Sequence, residues 1–316
     1  MEHIPVLLQE SIDGLNIKPD GVYVDGTLGR AGHAREIVKR LVKGRLIAID
    51  CDSDAIHEAK SLLTGYENRI TYVHGNFRDI SKIISREGIN VVDGMIFDLG
   101  VSSPQLDDAT RGFSYMHDAE LDMRMDKRTS LTAFEVVNNW QEEELGRVFF
   151  EYGEERYSKL IAREIVKKRA AAPIETTFEL NETIFSAVPA AARRQPRHPS
   201  KRCFQALRIA VNDELGSIKD MLDAAPDLLM PKGRLCVISF HSLEDRLVKK
   251  AFAAGAKKCV CPRDVPVCVC GTIPKLKVIT RKPVTVDIDE IERNPRARSA
   301  KLRIAERIVQ KRKGSE

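Results

Sequence analysis

The sequence predicts an α/β fold in which a parallel sheet covered by helices is interrupted by an all-helical insertion. Three observations lead there. Through the first hundred residues, short β-branched runs alternate with amphipathic stretches, as strands joined by crossover helices do. From about Asp107 to Asp213 that alternation gives way to apolar residues at three-and-four spacing. Strand character then returns at Arg234–Phe240 behind Pro231-Lys232-Gly233, which reads as a turn. At 316 residues the chain exceeds one compact core. The expected division is residues 1–106 with 214–316 for the sheet domain and 107–213 for the insertion.

Strands are expected at Val22–Asp25, Arg45–Asp50, Ile70–His74 and Gly94–Asp98, with helices at Ala34–Leu41 and Asp54–Leu63 between them. Asp52 or Ser53 suits the N-cap of the second helix. In the insertion, Trp140–Phe150 and Leu160–Val166 carry the clearest helical spacing. Leu276–Thr280 and Ala300–Ile304 are candidates for the last strands.

Composition narrows the class. Hydrophobic residues are 43% and charged residues 31%, which suits a globular protein. The longest stretches without a charged residue, Thr183–Ala192 and Val265–Pro274, are far short of the 18 or so residues that a membrane helix needs. An odd count of seven cysteines, with an N-terminus lacking a basic start and an apolar core, points to a reducing cytoplasmic compartment. Net charge is +5, yet Arg296–Lys313 alone holds eight basic residues and one acid, +7, which leaves −2 elsewhere. A localised basic tail fits a polyanionic partner, although a solvated helix end would read the same way.

The first strand ends in Val24-Asp25 and runs into glycines at 26, 29 and 32. Glycines there let the backbone turn tightly against a ligand. The spacing G-x-x-G-x-x-G differs from the G-x-G-x-x-G of dinucleotide enzymes, so a pyrophosphate cradle is not implied and a nicotinamide oxidoreductase is disfavoured. Asp50 ends the next strand, where a carboxylate can accept the two hydroxyls of a ribose. Phe77, after the third strand, is placed either to pack on an adenine or to fill core. Together these residues read as a nucleoside pocket.

The fourth strand runs into Asp98-Leu99-Gly100-Val101-Ser102-Ser103-Pro104-Gln105. Methylating an exocyclic amine needs acceptors aimed at its N–H groups and a nucleophile held in line with the methyl donor. Asp98 suits that role, or alternatively holds a cofactor's amino group or caps the turn. Methylation of cytosine at C5 would need a thiolate in a Pro-Cys or Thr-Cys pair near this position, and the sequence offers only Cys261-Pro262 in reversed order.

Seven collinear motifs extend the reading: Asp25 to His33; Asp98 to Gln105 continuing through Leu106-Asp107-Asp108; Arg111-Gly112-Phe113-Ser114; Leu121 to Met125; Tyr152 to Arg156; Ser239 to Arg246; and Asn294 to Ser299. In these the chain resembles the bacterial 16S rRNA (cytosine-N4)-methyltransferase family. The resemblance implies a class I, Rossmann-like methyltransferase sheet with an inserted substrate-recognition domain, S-adenosyl-L-methionine as cofactor, and the exocyclic N4 of a cytidine in the decoding region as methyl acceptor. It further implies that Ala31, Gly32, His33, Asp50, Phe77, Asp98 and Gln105 hold the cofactor. Ala31 departs from the pattern, since the family often has Gly there. A competing reading, an RNA-binding assembly factor with a vestigial pocket, is disfavoured by the intact Asp50 and Asp98.

For the RNA, Arg193, Arg194, Arg197, Lys201 and Arg202 cluster without an acid in a segment whose prolines suggest a loop able to neutralise phosphates. His241 either faces the acceptor base or is a buried hydrogen-bonding residue, and Ser242 with Asp245 reads as a capping box. No metal ligand is assigned. Cys259, Cys261, Cys268 and Cys270 read either as reduced thiols or as a zinc-stapled hairpin, with a C-x-C spacing tighter than the usual zinc pattern.

Overall fold

The structure, a computed structural model, describes residues 5–193, 198–262, 267 and 269–309. In chain order the elements are α1 (Leu8–Leu15), β1 (Val22–Asp25), α2 (Gly32–Arg40), β2 (Arg45–Asp50), α3 (Ser53–Leu62), β3 (Ile70–His74), α4 (Ile80–Arg86) and β4 (Val92–Asp98). The helical stretch follows as α5 (Ser103–Asp107), α6 (Ala133–Asn139), α7 (Glu142–Glu151), α8 (Ser158–Arg169), α9 (Thr177–Ala187), α10 (Ala190–Arg193) and α11 (Pro199–Asn212). The chain closes with α12 (Glu214–Leu228), β5 (Leu229–Ser239), α13 (Ser242–Gly255), β6 (Leu276–Val278), β7 (Val284–Thr285), α14 (Ile288–Arg293) and β8 (Lys301–Arg307).

Two compact units emerge, residues 1–100 with 216–316 and residues 101–215. The first boundary falls ahead of residue 107 because Val101 and Leu106 pack against the core of the helical unit.

The first unit is the expected α/β sheet, ordered β3-β2-β1-β4-β5-β8-β6 with β7 paired to β8. β1 to β5 are parallel, and β8 runs antiparallel to β5, β6 and β7. The central strands are buried on both faces, so they read as continuous apolar runs such as Leu46-Ile47-Ala48-Ile49 and Met95-Ile96-Phe97. Between β1 and β4 the strand order reverses. In open α/β sheets a crevice forms at that point beyond the carboxyl ends of the strands.

Two expectations about this unit are corrected. Pro231-Lys232-Gly233 is no turn: β5 runs straight through it, with Lys232 in the left-handed region at φ 68° and the pairing with β4 shifting between Val92 and Gly94. The segment is a bulge, which uses the same residues a turn does. Part of the basic C-terminal stretch, Lys301–Arg307, is strand rather than tail. In β8, Arg303 bonds Asp245 at 2.6 Å, while Arg307 pairs with Asp227 and Lys301 with Asp245 at longer range. Lys311, Arg312 and Lys313 lie outside the described residues.

The second unit has a core built from Val136, Val137, Leu145, Phe149, Ile161, Ile165, Leu180, Ile184, Phe204 and Leu207. The helical spacing over Trp140–Phe150 is met by one helix, α7, and a short separate helix, α6, precedes it. α6 ends where Trp140 turns extended at ψ 151°, and α7 starts behind a capping box of Gln141 and Glu144. Several family-like motifs prove to be its structural joints. Arg111 is buried and donates from Nη2 to the carbonyls of Arg124 and Met125 at 2.9 and 3.2 Å. A Cβ on Gly153 would stand 2.6 Å from the carbonyl oxygen of Phe149 and 2.8 Å from that of Arg202, so only glycine fits. No helix among the described residues is long and apolar enough to cross a membrane.

Candidate functional site

Three carboxylates end three neighbouring strands of the first unit: Asp25 on β1, Asp50 on β2 and Asp98 on β4. Asp25 lies opposite Ala48 and Ile96, so Asp50 and Asp98 each reach two residues further along the sheet on either side of it. Strand burial carries these acids into the carboxyl edge at the reversal point.

The glycine loop is shaped to run close beside them. A Cβ on Gly26 would come within 2.2 Å of the Phe97 ring, so the chain leaves β1 only as glycine. Gly29 takes a left-handed conformation at φ 45° and donates its N–H to Asp50 Oδ2 at 2.8 Å. Asp50 Oδ1 accepts from the Asp52 N–H at 2.9 Å, so both oxygens are fixed from the backbone. Each keeps a second lone pair for a ligand hydroxyl. Ala31 sits at φ 59° as the N-cap of α2, which explains the family's frequent glycine there. A left-handed alanine costs on the order of 1 kcal/mol. Gly32 has no room for a side chain because Pro5 occupies the space.

Other expected residues fall into place differently. His33 is buried, with Nε2 3.2 Å from the Val6 carbonyl oxygen, which leaves its backbone rather than its ring for a ligand. Phe77 is half-buried and meets Phe97 edge-on with centroids 5.7 Å apart. Gln105 belongs to the second unit, where it is buried in α5 and its Oε1 accepts from Ser102 N–H at 3.0 Å.

Asp98 differs from the other two acids. Its N–H donates to Thr27 Oγ1 at 2.6 Å, but its buried Oδ1 has no hydrogen-bond partner. Burial, reinforced by the charges of Asp25 and Glu244, pushes its carboxyl up to about 8. Asp25 is raised to about 7, by burial first and by Asp50 in addition, although the N–H groups of Thr27 and Ala34 pull the other way. Burial likewise raises Asp50 to about 6, with Asp52 adding to the rise and backbone N–H groups opposing it. The edge is therefore a cluster of desolvated acids held by backbone dipoles. It favours a cation, or a ligand rich in N–H and O–H donors.

Asp25 and Glu244 are site residues that the sequence reading passed over. The available signal for Asp25 was its place as a third acidic strand end beside two others. Glu244 is fully buried, and its Oε2 accepts from the N–H groups of Phe240 and His241 at 2.8 and 3.2 Å. The cap of α13 is accordingly His241 with Glu244, one residue before the expected Ser242 and Asp245; Asp245 is taken by Arg303. His241 Nε2 stands 3.1 Å from Glu244 Oε1.

The basic segment of the second unit is less open than expected. Arg193 donates from Nε to the Val188 carbonyl at 2.7 Å and from Nη2 to the Ser186 carbonyl at 2.8 Å, and it lies over the Phe185 ring. Arg202 donates to the Glu154 carbonyl and approaches Glu155. Lys201 is exposed. Arg194 and Arg197 lie outside the described residues. The expected loop is partly helix, since Pro199 opens α11 in the first turn, where proline is tolerated.

Comparison with known proteins agrees with this geometry. The model of the MraW methylase family matches residues 1–308. Ribosomal RNA small subunit methyltransferase H of Paenibacillus sp. (strain JDR-2) is 54% identical over 314 residues, covering 97% of this chain and 99% of that protein. The proteins of the same name from Brevibacillus brevis and Clostridioides difficile (strain 630) are 52% and 53% identical, each over 307 residues and 97% of this chain, and over 98% and 99% of their own lengths.

Proposed function

The chain belongs to the MraW methylase family, and we propose that it transfers a methyl group from S-adenosyl-L-methionine to the exocyclic N4 amine of a cytidine in the decoding region of 16S rRNA. The observation that carries the chemistry is the unpartnered Oδ1 of Asp98, presented beside Asp25 at the point where the strand order reverses. The residues present fit the cofactor, because a cation-favouring acid cluster and glycines that no side chain could replace lie together.

In this reading Asp50, fixed by the N–H groups of Gly29 and Asp52, accepts the ribose hydroxyls. Phe77 packs on the adenine, and the backbone of Ala31, Gly32 and His33 closes around the amino-acid end. The cofactor supplies an electrophilic methyl on a sulfonium. Asp98 Oδ1 either accepts an N–H of the cytidine amine, drawing its lone pair out of the ring, or holds the cofactor's own amine. In the first case the bound cofactor would supply the methyl, and Asp98 Oδ1 would take the proton that N4 gives up. To receive it the carboxyl must first be ionised: burial raises it to about 8, and a cationic ligand beside it would favour the charged form.

The helical unit serves as the substrate-recognition domain, with the exposed Lys201 placed to meet phosphate and with Arg193, Arg194, Arg197 and Arg202 as further contacts; His241, in the sheet unit, is a separate candidate contact. A cytoplasmic site of action follows from such a substrate. The test is transfer of labelled methyl to small ribosomal subunits from a strain lacking this gene, followed by nucleoside analysis. Label in N4-methylcytidine is expected. Label in another nucleoside would overturn the acceptor, and no label despite demonstrated cofactor binding would favour a binding-only role.

A further inference from the structure

Between α13 and β6 the chain makes an excursion over residues 256–275 whose two ends meet, with Lys275 N–H donating to the Gly255 carbonyl at 2.8 Å. None of its described residues is buried. A segment of that length with no apolar burial of its own has little to offset the entropy of being ordered. Small units without a core of their own are commonly held by a disulfide or a metal.

Cys259, Cys261 and Cys270 converge here, with their sulfurs all within 4.8 Å of one another. Cys259 Sγ and Cys270 Sγ are 3.7 Å apart, too far for a bond between them. The separation does match a metal site: two thiolates on a tetrahedral zinc at about 2.3 Å each stand about 3.8 Å apart. Backbone groups are also aimed at the sulfurs. Val260 N–H points to Cys270 Sγ at 3.3 Å, and Cys261 N–H to Cys259 Sγ at 3.4 Å. Such donors favour a thiolate over a thiol, the form a metal requires.

We propose that Cys259, Cys261 and Cys270 bind one zinc ion, which ties residues 259–261 to Cys270. Of the two readings the sequence leaves open for these cysteines, reduced thiols or a zinc site, this geometry supports the second. Cys268 lies outside the described residues and forms no part of the assignment. The buried Cys203 and Cys236 are unsuited to bind an ion, since burial raises both thiols.

The test uses the full chain purified under reducing conditions without chelator. Elemental analysis is expected to find about one equivalent of zinc, and replacing it with cobalt(II) should give the visible absorption and thiolate charge-transfer bands of a tetrahedral sulfur site. Cys259→Ser and Cys270→Ser should each lose the bound metal while keeping cofactor affinity. Should a variant fail to fold, the cobalt spectrum of the unaltered chain decides alone. Less than about a tenth of an equivalent, with no uptake when zinc is added to the reduced chain, would overturn the proposal. So would a native disulfide joining any two of the three cysteines.

Discussion

The acids at the carboxyl edge of the sheet live under a different rule from arginine-paired acids such as Asp122 and Glu214 of the helical unit. Asp122, despite burial that pushes it up, is held below the usual carboxylate range by Arg124, which bonds it at 2.9 and 2.7 Å, and Glu214 receives two bonds from Arg208 at 2.8 and 3.0 Å. At the edge of the sheet unit Asp25, Asp50 and Asp98 are fixed by backbone N–H groups or left unfixed, and all three are raised. One arrangement builds a scaffold. The other keeps charge unresolved until a cationic ligand arrives, a departure from local consistency of the sort expected at a functional site.

The sharpest way to break this comparison is Asp98→Asn. Methyl transfer should fall by roughly 100-fold or more if the carboxylate acts on the amine. The ligand-free protein should nevertheless become more heat-stable at pH 8. Because the folded-state value lies above the ordinary 3.8, the native protein holds a proton that the unfolded chain releases. The carboxyl therefore weakens the fold progressively as pH rises from about 4 to about 8, and the variant's advantage should shrink towards pH 5. A variant less stable than the parent at pH 8 would mean that Asp98 is scaffold after all.

Arg111→Met tests the other side. Two carbonyls in the helical unit would lose their donor, and the denaturant midpoint should report a loss of about 1–3 kcal/mol with no gain at any pH. An unchanged midpoint would show that the buried arginine is dispensable. A smaller effect is expected from Lys201→Ala. The logarithmic salt dependence of RNA binding should lessen by about one unit, with cofactor affinity untouched. An unaltered slope would move the phosphate contact away from α11.

How far this was legible in the sequence follows the same division. β1, β2 and β3 are found where they were expected: β1 and β2 are largely buried apolar runs, and β3, at the sheet edge, is a β-branched and aromatic run of which only Ile70 is buried. Asp50 and Asp98 were visible as acidic strand ends. Asp25 was not singled out, since its importance depends on β1 lying between β2 and β4, and strand order is a property of the sheet rather than of any segment. α7 lies within the window whose apolar spacing marked it, from Glu142 behind the Gln141 and Glu144 box, while the short α6 ahead of Trp140 was not singled out. The charge of β8 resembled a tail because Arg303 finds Asp245 from 58 residues away.

Calorimetric binding of S-adenosylmethionine and of its uncharged thioether product, S-adenosylhomocysteine, between pH 6 and pH 8 tests the central claim most directly. The two ligands differ only in the methyl and the sulfonium charge, so any difference in their pH dependence reports the acid cluster. We expect the sulfonium ligand to tighten more steeply with rising pH, by up to about tenfold per proton displaced and per pH unit, and Asp50→Ala to weaken both ligands. Parallel pH profiles for the two ligands, with Asp50→Ala binding as tightly as the parent, would contradict the assignment of this edge as the cofactor site.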